Sequence, residues 1–174
     1  VRVNRLSLSL LHLFRRPLAD VLKERIMIPL GASDNWSWNA YRNAVATVDG
    51  VPMPSVPGGS HWGGGLWIGA RDQALLGQLI LQRGAWNGRQ LISTDWLDAM
   101  CKPCPLKSEY GYMWWLNTDR VRYPAASTRA LAAVGAGGNT ILIDATHDLV
   151  LVVRWLDGLA LNPLIEQTIA AIAE

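Results

Sequence analysis

The 174-residue sequence predicts an α+β fold, an antiparallel sheet flanked by helices. Three observations predict it. Apolar residues recur at helical spacing through most of the first hundred positions. Aromatic and β-branched apolar runs, separated by Gly-rich and polar turns, then take over. A capped apolar helical pattern closes the chain. Half of the residues are hydrophobic and only 17% are charged, a balance that builds a core and argues against disorder.

The elements follow in order. Leu6, Leu8, Leu10, Leu11, Leu13 and Phe14 form an apolar helical segment. Pro17 suits a first helical position, Leu18, Val21, Leu22 and Ile26 follow at helical spacing, and Pro29 and Gly31 end the helix. Residues 33–62 read as a long irregular segment, held by Trp36, Trp38, Tyr41 and Trp62. A helix is expected over 70–83, burying Leu75, Leu76, Leu79 and Ile80, with Gly84 past its end. Asn87-Gly88 marks a turn. Ser93 then caps a helix running to about Cys101, with Ile92 and Leu97 as a hydrophobic staple.

Residues 110–116 are aromatic and strand-like. Residues 131–134 run into Gly135-Ala136-Gly137-Gly138, and residues 140–143 and 149–155 read as a hairpin. Asn162 is expected to cap a last helix that starts at Pro163 and buries Leu164, Ile165, Ile169 and Ile172. Residues 1–174 thus read as part of one domain. Residues 1–108 supply mainly helices and long loops; residues 109–174 supply sheet strands and the C-terminal helix.

Composition excludes several function classes. The net charge is +2 with no run of Lys or Arg, so there is no electrostatic footprint for nucleic acid. No window holds the roughly 20 apolar residues that span a bilayer. The compartment is not legible; periplasm and cytoplasm both stay open. Cys101 and Cys104 have the spacing of a redox pair, but they follow a helix, where the dipole opposes a thiolate; a local disulfide or two plain thiols remain. Three dispersed His and no second Cys pair give no zinc pattern, and no metal or cofactor is expected.

The catalytic motifs searched for are missing. A Ser–Lys hydrolase needs Ser-x-x-Lys on one helix, so that the amine can take the hydroxyl proton. The residues three before Lys23, Lys102 and Lys107 are Asp20, Ala99 and Cys104. Gly58-Gly59-Ser60-His61-Trp62 nearly meets a nucleophile elbow but ends in Trp, where the turn needs a small residue. Ser60 therefore reads as a structural hydroxyl. The run from Gly135 fails the dinucleotide pattern at Thr140.

Five stretches in order nevertheless carry a resemblance. They are residues 26–32, Ile-Met-Ile-Pro-Leu-Gly-Ala; residues 63–72, Gly-Gly-Gly-Leu-Trp-Ile-Gly-Ala-Arg-Asp; residues 84–100, with Asn-Gly-Arg-Gln-Leu-Ile-Ser and Trp-Leu; residues 110–115, Tyr-Gly-Tyr-Met-Trp-Trp; and the turn 135–138 with Ile143-Asp144 and the Val-rich strand 149–153. Together they resemble the β-lactamase-related serine hydrolases, in particular the esterase and 6-aminohexanoate-dimer hydrolase branches. The resemblance implies a β-lactamase/transpeptidase-like fold, incomplete at its N-terminus, with the nucleophile, its Lys and the second-motif Tyr upstream of Val1. Tyr41-Arg42-Asn43 matches the second motif as a string but follows the Pro-Leu-Gly turn instead of preceding it.

Ala133-Val134-Gly135 aligns with the family's third motif, without its basic residue. The resemblance therefore implies an oxyanion or third-motif region at Gly135, Ala136 and Gly137, where the N–H after Gly135 could serve an oxyanion; the alternative is that the glycines only let strands pass closely. It implies substrate-lining positions at His61, Trp62, Gly63, Tyr112 and Trp114. The implied partners are a small ester or amide substrate and the upstream half of the same fold. Two readings stay open: a hydrolase portion inactive on its own, and an inactive binding or regulatory module. On the first reading, some of Trp36, Trp38, Trp62, Trp67, Trp114 and Trp115 are expected to lose their cover without the upstream half.

Overall fold

A computed structural model describes residues 2–58 and 64–172. The chain forms two compact units, Val1–Asp72 and Gln73–Glu174.

In the first unit, helix α1 (Arg2–Phe14) buries Leu11 and Ser7. Helix α2 (Leu18–Leu22) continues through a π-helical turn, Lys23–Met27, into α3 (Ile28–Leu30), and Gly31 closes the run in the left-handed conformation. Pro17 sits one position earlier than expected, as the N-cap. Pro29 does not end the helix but lies inside α3; having no N–H, it cannot donate back, and the ladder before it widens to π spacing.

The segment expected to be irregular holds three strands. β1 (Ser37–Asn39) pairs antiparallel with β4 (Gly65–Trp67), and β2 (Val45–Val48) with β3 (Val51–Pro54). The β2–β3 turn is Asp49-Gly50, with φ of 52° and 79°, the two positive angles a tight hairpin needs. Asp72 is buried and accepts from the Ser33 N–H at 3.0 Å and the Ser33 hydroxyl at 2.6 Å, which ties residue 33 to the first turn of α4 (Ala70–Leu81).

In the second unit, β5 (Ala85–Trp86) and β6 (Arg89–Gln90) form a hairpin about Asn87-Gly88. Ser93 caps α5 (Thr94–Met100), its hydroxyl accepting from the Trp96 N–H at 3.3 Å. The sheet has four antiparallel strands in the order β10-β9-β8-β7: Leu149–Val153, Asn139–Asp144, Leu131–Gly135 and Trp115–Leu116. Its register places Ala132 opposite Leu142 and Leu131 opposite Ile143.

Alternation then sends those pairs to opposite faces. Ala132 and Leu142 join Tyr123, Ala126, Ala130 and Ile165, under helix α6 (Gly158–Ile172). Leu131 and Ile143 join Leu97, Met100 and Leu116, with Ile80 and Trp114 packed against them. Gly77 lets α4 approach this second face: a Cβ there would lie 2.5 Å from Val150 Cγ1.

Two expectations fail here. Residues 110–116 are not one strand. The Gly111 N–H donates to the Trp114 carbonyl at 2.9 Å and Tyr110 bridges Trp115, so the segment doubles back and only Trp115–Leu116 enters the sheet. The last helix starts at Gly158, not Pro163. Asp157 caps it by accepting from the Leu159 N–H at 2.9 Å. Pro163 leaves the Leu159 carbonyl without a helical donor, at a residue that is 88% exposed. Ile172, expected inside, is 51% exposed.

Candidate functional site

The candidate site is the free edge of β8 and the turn that follows it. β9 pairs with all of β8, Leu131 through Gly135, whereas β7 reaches only Leu131 and Ala132. The Asn117 N–H donates to the Ala130 carbonyl at 3.0 Å. Backbone groups of a strand alternate sides, so Ala132 and Val134 present theirs to the same edge as Ala130. Beyond the end of β7, the N–H and C=O of Val134 therefore face an edge with no strand partner among the described residues. Val134 is 40% exposed, and Gly135 and Ala136 are exposed.

The turn is built from close approach. Gly137 and Gly138 have φ of 76° and 72°, and a Cβ on either would strike the Trp155 ring or the Leu156 backbone. Asn139 Nδ2 donates to the Ala136 carbonyl at 2.6 Å, and Asn139 Oδ1 is buried with no partner among the described residues.

The other predicted positions fall elsewhere. Trp114 packs beside Leu131, at the opposite end of β8 from Gly135, about 13 Å along the strand. Tyr112 is exposed in the 111–114 turn, its ring 5.7 Å from that of Trp96. His61, Trp62 and Gly63, with Ser60, lie outside the described residues. Tyr41 is half-buried, its carbonyl accepting from the Ala44 N–H at 2.9 Å. Cys101 and Cys104 are free thiols; partial burial, with Asp98 adding to it against Arg83, holds the Cys101 thiol above its ordinary range, which opposes a reactive thiolate.

One cluster was not foreseen as a cluster. The fully buried Asp144 carboxylate accepts from the Ser127 hydroxyl (2.5 Å), the Ser127 N–H (2.8 Å) and the Thr146 N–H (3.0 Å), and pairs with His147 Nδ1 (2.7 Å). Burial raises the Asp144 pKa, but these bonds outweigh burial and hold it below the usual carboxylate range. Ser, His and Asp meet here, yet Ser127 faces the carboxylate and not the imidazole. The cluster anchors β9 to residue 127 and is not a proton relay. Asx-like spacing from Asp144 to Thr146 is the one local signal it leaves in the sequence. Among the described residues no group of three or more His, Cys, Asp or Glu could hold a metal ion, and no helix is long and apolar enough to cross a membrane.

No protein-family profile and no curated protein matches the chain. Solved structures do. A Bacillus anthracis protein described as a 6-aminohexanoate-dimer hydrolase aligns over 97% of this chain and 40% of its own, with TM-score 0.59 and 20% identity. A Bacteroides dorei DSM 17855 protein described as a β-lactamase aligns over 90% and 52%, with TM-score 0.53 and 14% identity. Simvastatin synthase (LovD) from Aspergillus terreus, unliganded, aligns over 90% and 49%, with TM-score 0.56 and 15% identity. The chain has the β-lactamase-like fold of these structures. The chain spans about half or less of the length of each of these structures. Ala133, Val134 and Gly135 lie on β8.

Proposed function

We propose that this chain is the C-terminal, sheet-bearing part of a serine hydrolase that cleaves esters or amides through an acyl-enzyme. The observation that carries the reading is the open backbone edge at Val134, ending in the exposed Gly135-Ala136-Gly137 turn. An extended substrate would pair with that edge as an added strand. The Ala136 N–H would then supply one donor to the oxyanion that forms as a serine hydroxyl adds to the carbonyl. The leaving alcohol or amine departs with a proton, and water later releases the acid. The sequence contains no Ser-x-x-Lys, so the nucleophile and its base would come from outside it, with the second-motif Tyr. The absence of a cation at Ala133 favours uncharged esters or amides over substrates held by a carboxylate.

The purified chain should not turn over a short-chain nitrophenyl ester. Serine-dependent turnover lost in Ser60→Ala would sink the proposal. The encoded sequence upstream of Val1 is the second test. A frame supplying Ser-x-x-Lys and then Tyr-x-Asn, added in trans, should restore turnover, and Ala136→Pro in the restored enzyme should cut kcat by about 10²–10³-fold. A frame without those motifs would favour an inactive binding module, the reading that the missing lysine motif keeps in play.

A further inference from the structure

A second site lies on the other side of the sheet from the α4 and α5 contacts. A cavity of about 250 Å3 opens between the start of α6 and the β8–β9 hairpin. It takes Val134 and Gly138 from either side of the Gly-rich turn, but none of residues 135–137. Its size falls just below the range of about 300–1,000 Å3 common for small-molecule sites, which limits it to a small ligand.

Two observations on its walls point to a ligand. The first is Arg122. Its guanidinium lies 3.9 Å from the centre of the Trp115 ring, and its Nε donates to the Tyr123 hydroxyl at 3.0 Å. Both partners are neutral, and no carboxylate pairs with it among the described residues. Ring stacking fixes the guanidinium plane and leaves donors available, the arrangement that suits a planar anion. The second is Thr140, which is 2% exposed. It pairs with Val134 in the register, and alternation along β9 puts its side chain on the face of Leu142, toward the cavity. Its hydroxyl is the polar group that β9 offers to the cavity wall.

We propose that this cavity binds a small carboxylic acid with a short apolar body. The carboxylate would meet the Arg122 fork and the Thr140 hydroxyl, with the positive end of α6 at Gly158 beside it. Val134, Leu156 and Leu161 would cover the apolar body. The site shares Val134 with the proposed catalytic edge: the side chain lines the cavity, and the backbone forms the edge.

The test is ligand-observed NMR on the dilute full chain with 4-methylpentanoate, 4-methylpentanamide and inorganic phosphate. The acid should bind saturably, and the isosteric amide and phosphate each at least about tenfold more weakly. Arg122→Gln should abolish the preference of acid over amide. Thr140→Val, which keeps the shape, should weaken the acid by about three- to tenfold. Equal binding of acid and amide would overturn the proposal, as would no saturable binding or a preference that survives Arg122→Gln. Phosphate binding as tightly as the acid would overturn the apolar half of it. Should Arg122→Gln fail to fold, the acid–amide comparison on the native chain and Thr140→Val still decide.

Discussion

At the residue scale, Asp144 carries more of the fold than any other charged group described. It is fully buried and takes four hydrogen bonds from three residues, so removing its charge weakens all four while the side chain stays out of water. Asp144→Asn should destabilise the chain by about 2–4 kcal/mol, and His147→Ala by about 1 kcal/mol, in dilute chemical denaturation. The pH dependence has a definite sign. The folded carboxyl titrates below its unfolded value, so its stabilisation is complete above the ordinary carboxylate pKa of about 3.9 and is lost as pH falls through the lower, folded value. Acid should therefore lower the melting temperature of the native chain more than that of Asp144→Asn; parallel curves would contradict the assignment. The sequence marked Asp144 only through the Ile143-Asp144 piece of the resemblance. Its partner Ser127 is 17 positions away, and spacing carries no information about that meeting.

At the element scale, Gly77 tests how α4 meets the sheet. Alanine is the better helix former by about 1 kcal/mol, but its methyl would lie 2.5 Å from Val150 Cγ1 and 3.1 Å from Ile141 Cγ2. Overpacking of this kind costs about 1–3 kcal/mol. Gly77→Ala should therefore be destabilising, whereas an exposed helical glycine would be stabilised by the same change; a raised melting temperature would mean that the helix stands further off. The elements that periodicity reveals were legible: α1, α4, the Ser93-capped α5 and the β8–β9–β10 meander all fall where the apolar spacing puts them. The misses are places where one local signal was outweighed. Asp49-Gly50 between two short strands is a hairpin signal hidden in a segment rich in Pro and Ser. Pro163 marks a helix start only if nothing earlier caps the helix, and Asp157 does. Aromatic residues 110–115 favour extended backbone, yet the Gly111 and Tyr110 pairings close them into a turn.

At the scale of the whole molecule, the chain leaves large apolar side chains in water. Leu13 is 73% exposed, Trp67 and Trp155 are each 66%, and Ile28 is 62%. Of the tryptophans expected to lack cover, Trp67 does; Trp36, Trp38, Trp114 and Trp115 are half-buried, and Trp96 and Trp155 are exposed instead. Exposed apolar surface of this kind marks a partner surface or a self-association risk. The chain should bind a hydrophobic dye and self-associate as its concentration rises, and the upstream half that we propose, added in trans, should suppress both. A monodisperse chain that binds no dye over a broad concentration range would exclude this. The sequence by itself determined the α+β class, the order of the main helices and the β8–β9–β10 meander, the likeness to the serine hydrolases and the absence of Ser-x-x-Lys, because periodicity, caps and short motifs are local or ordered along the chain. Only the tertiary structure decided that β7 stops two residues into β8 and leaves the Val134 edge open, that Ser127 and His147 converge on Asp144, and that Arg122 and Thr140 line one cavity. Those features depend on where strands end and which faces meet, and distant residues fix that through packing and register.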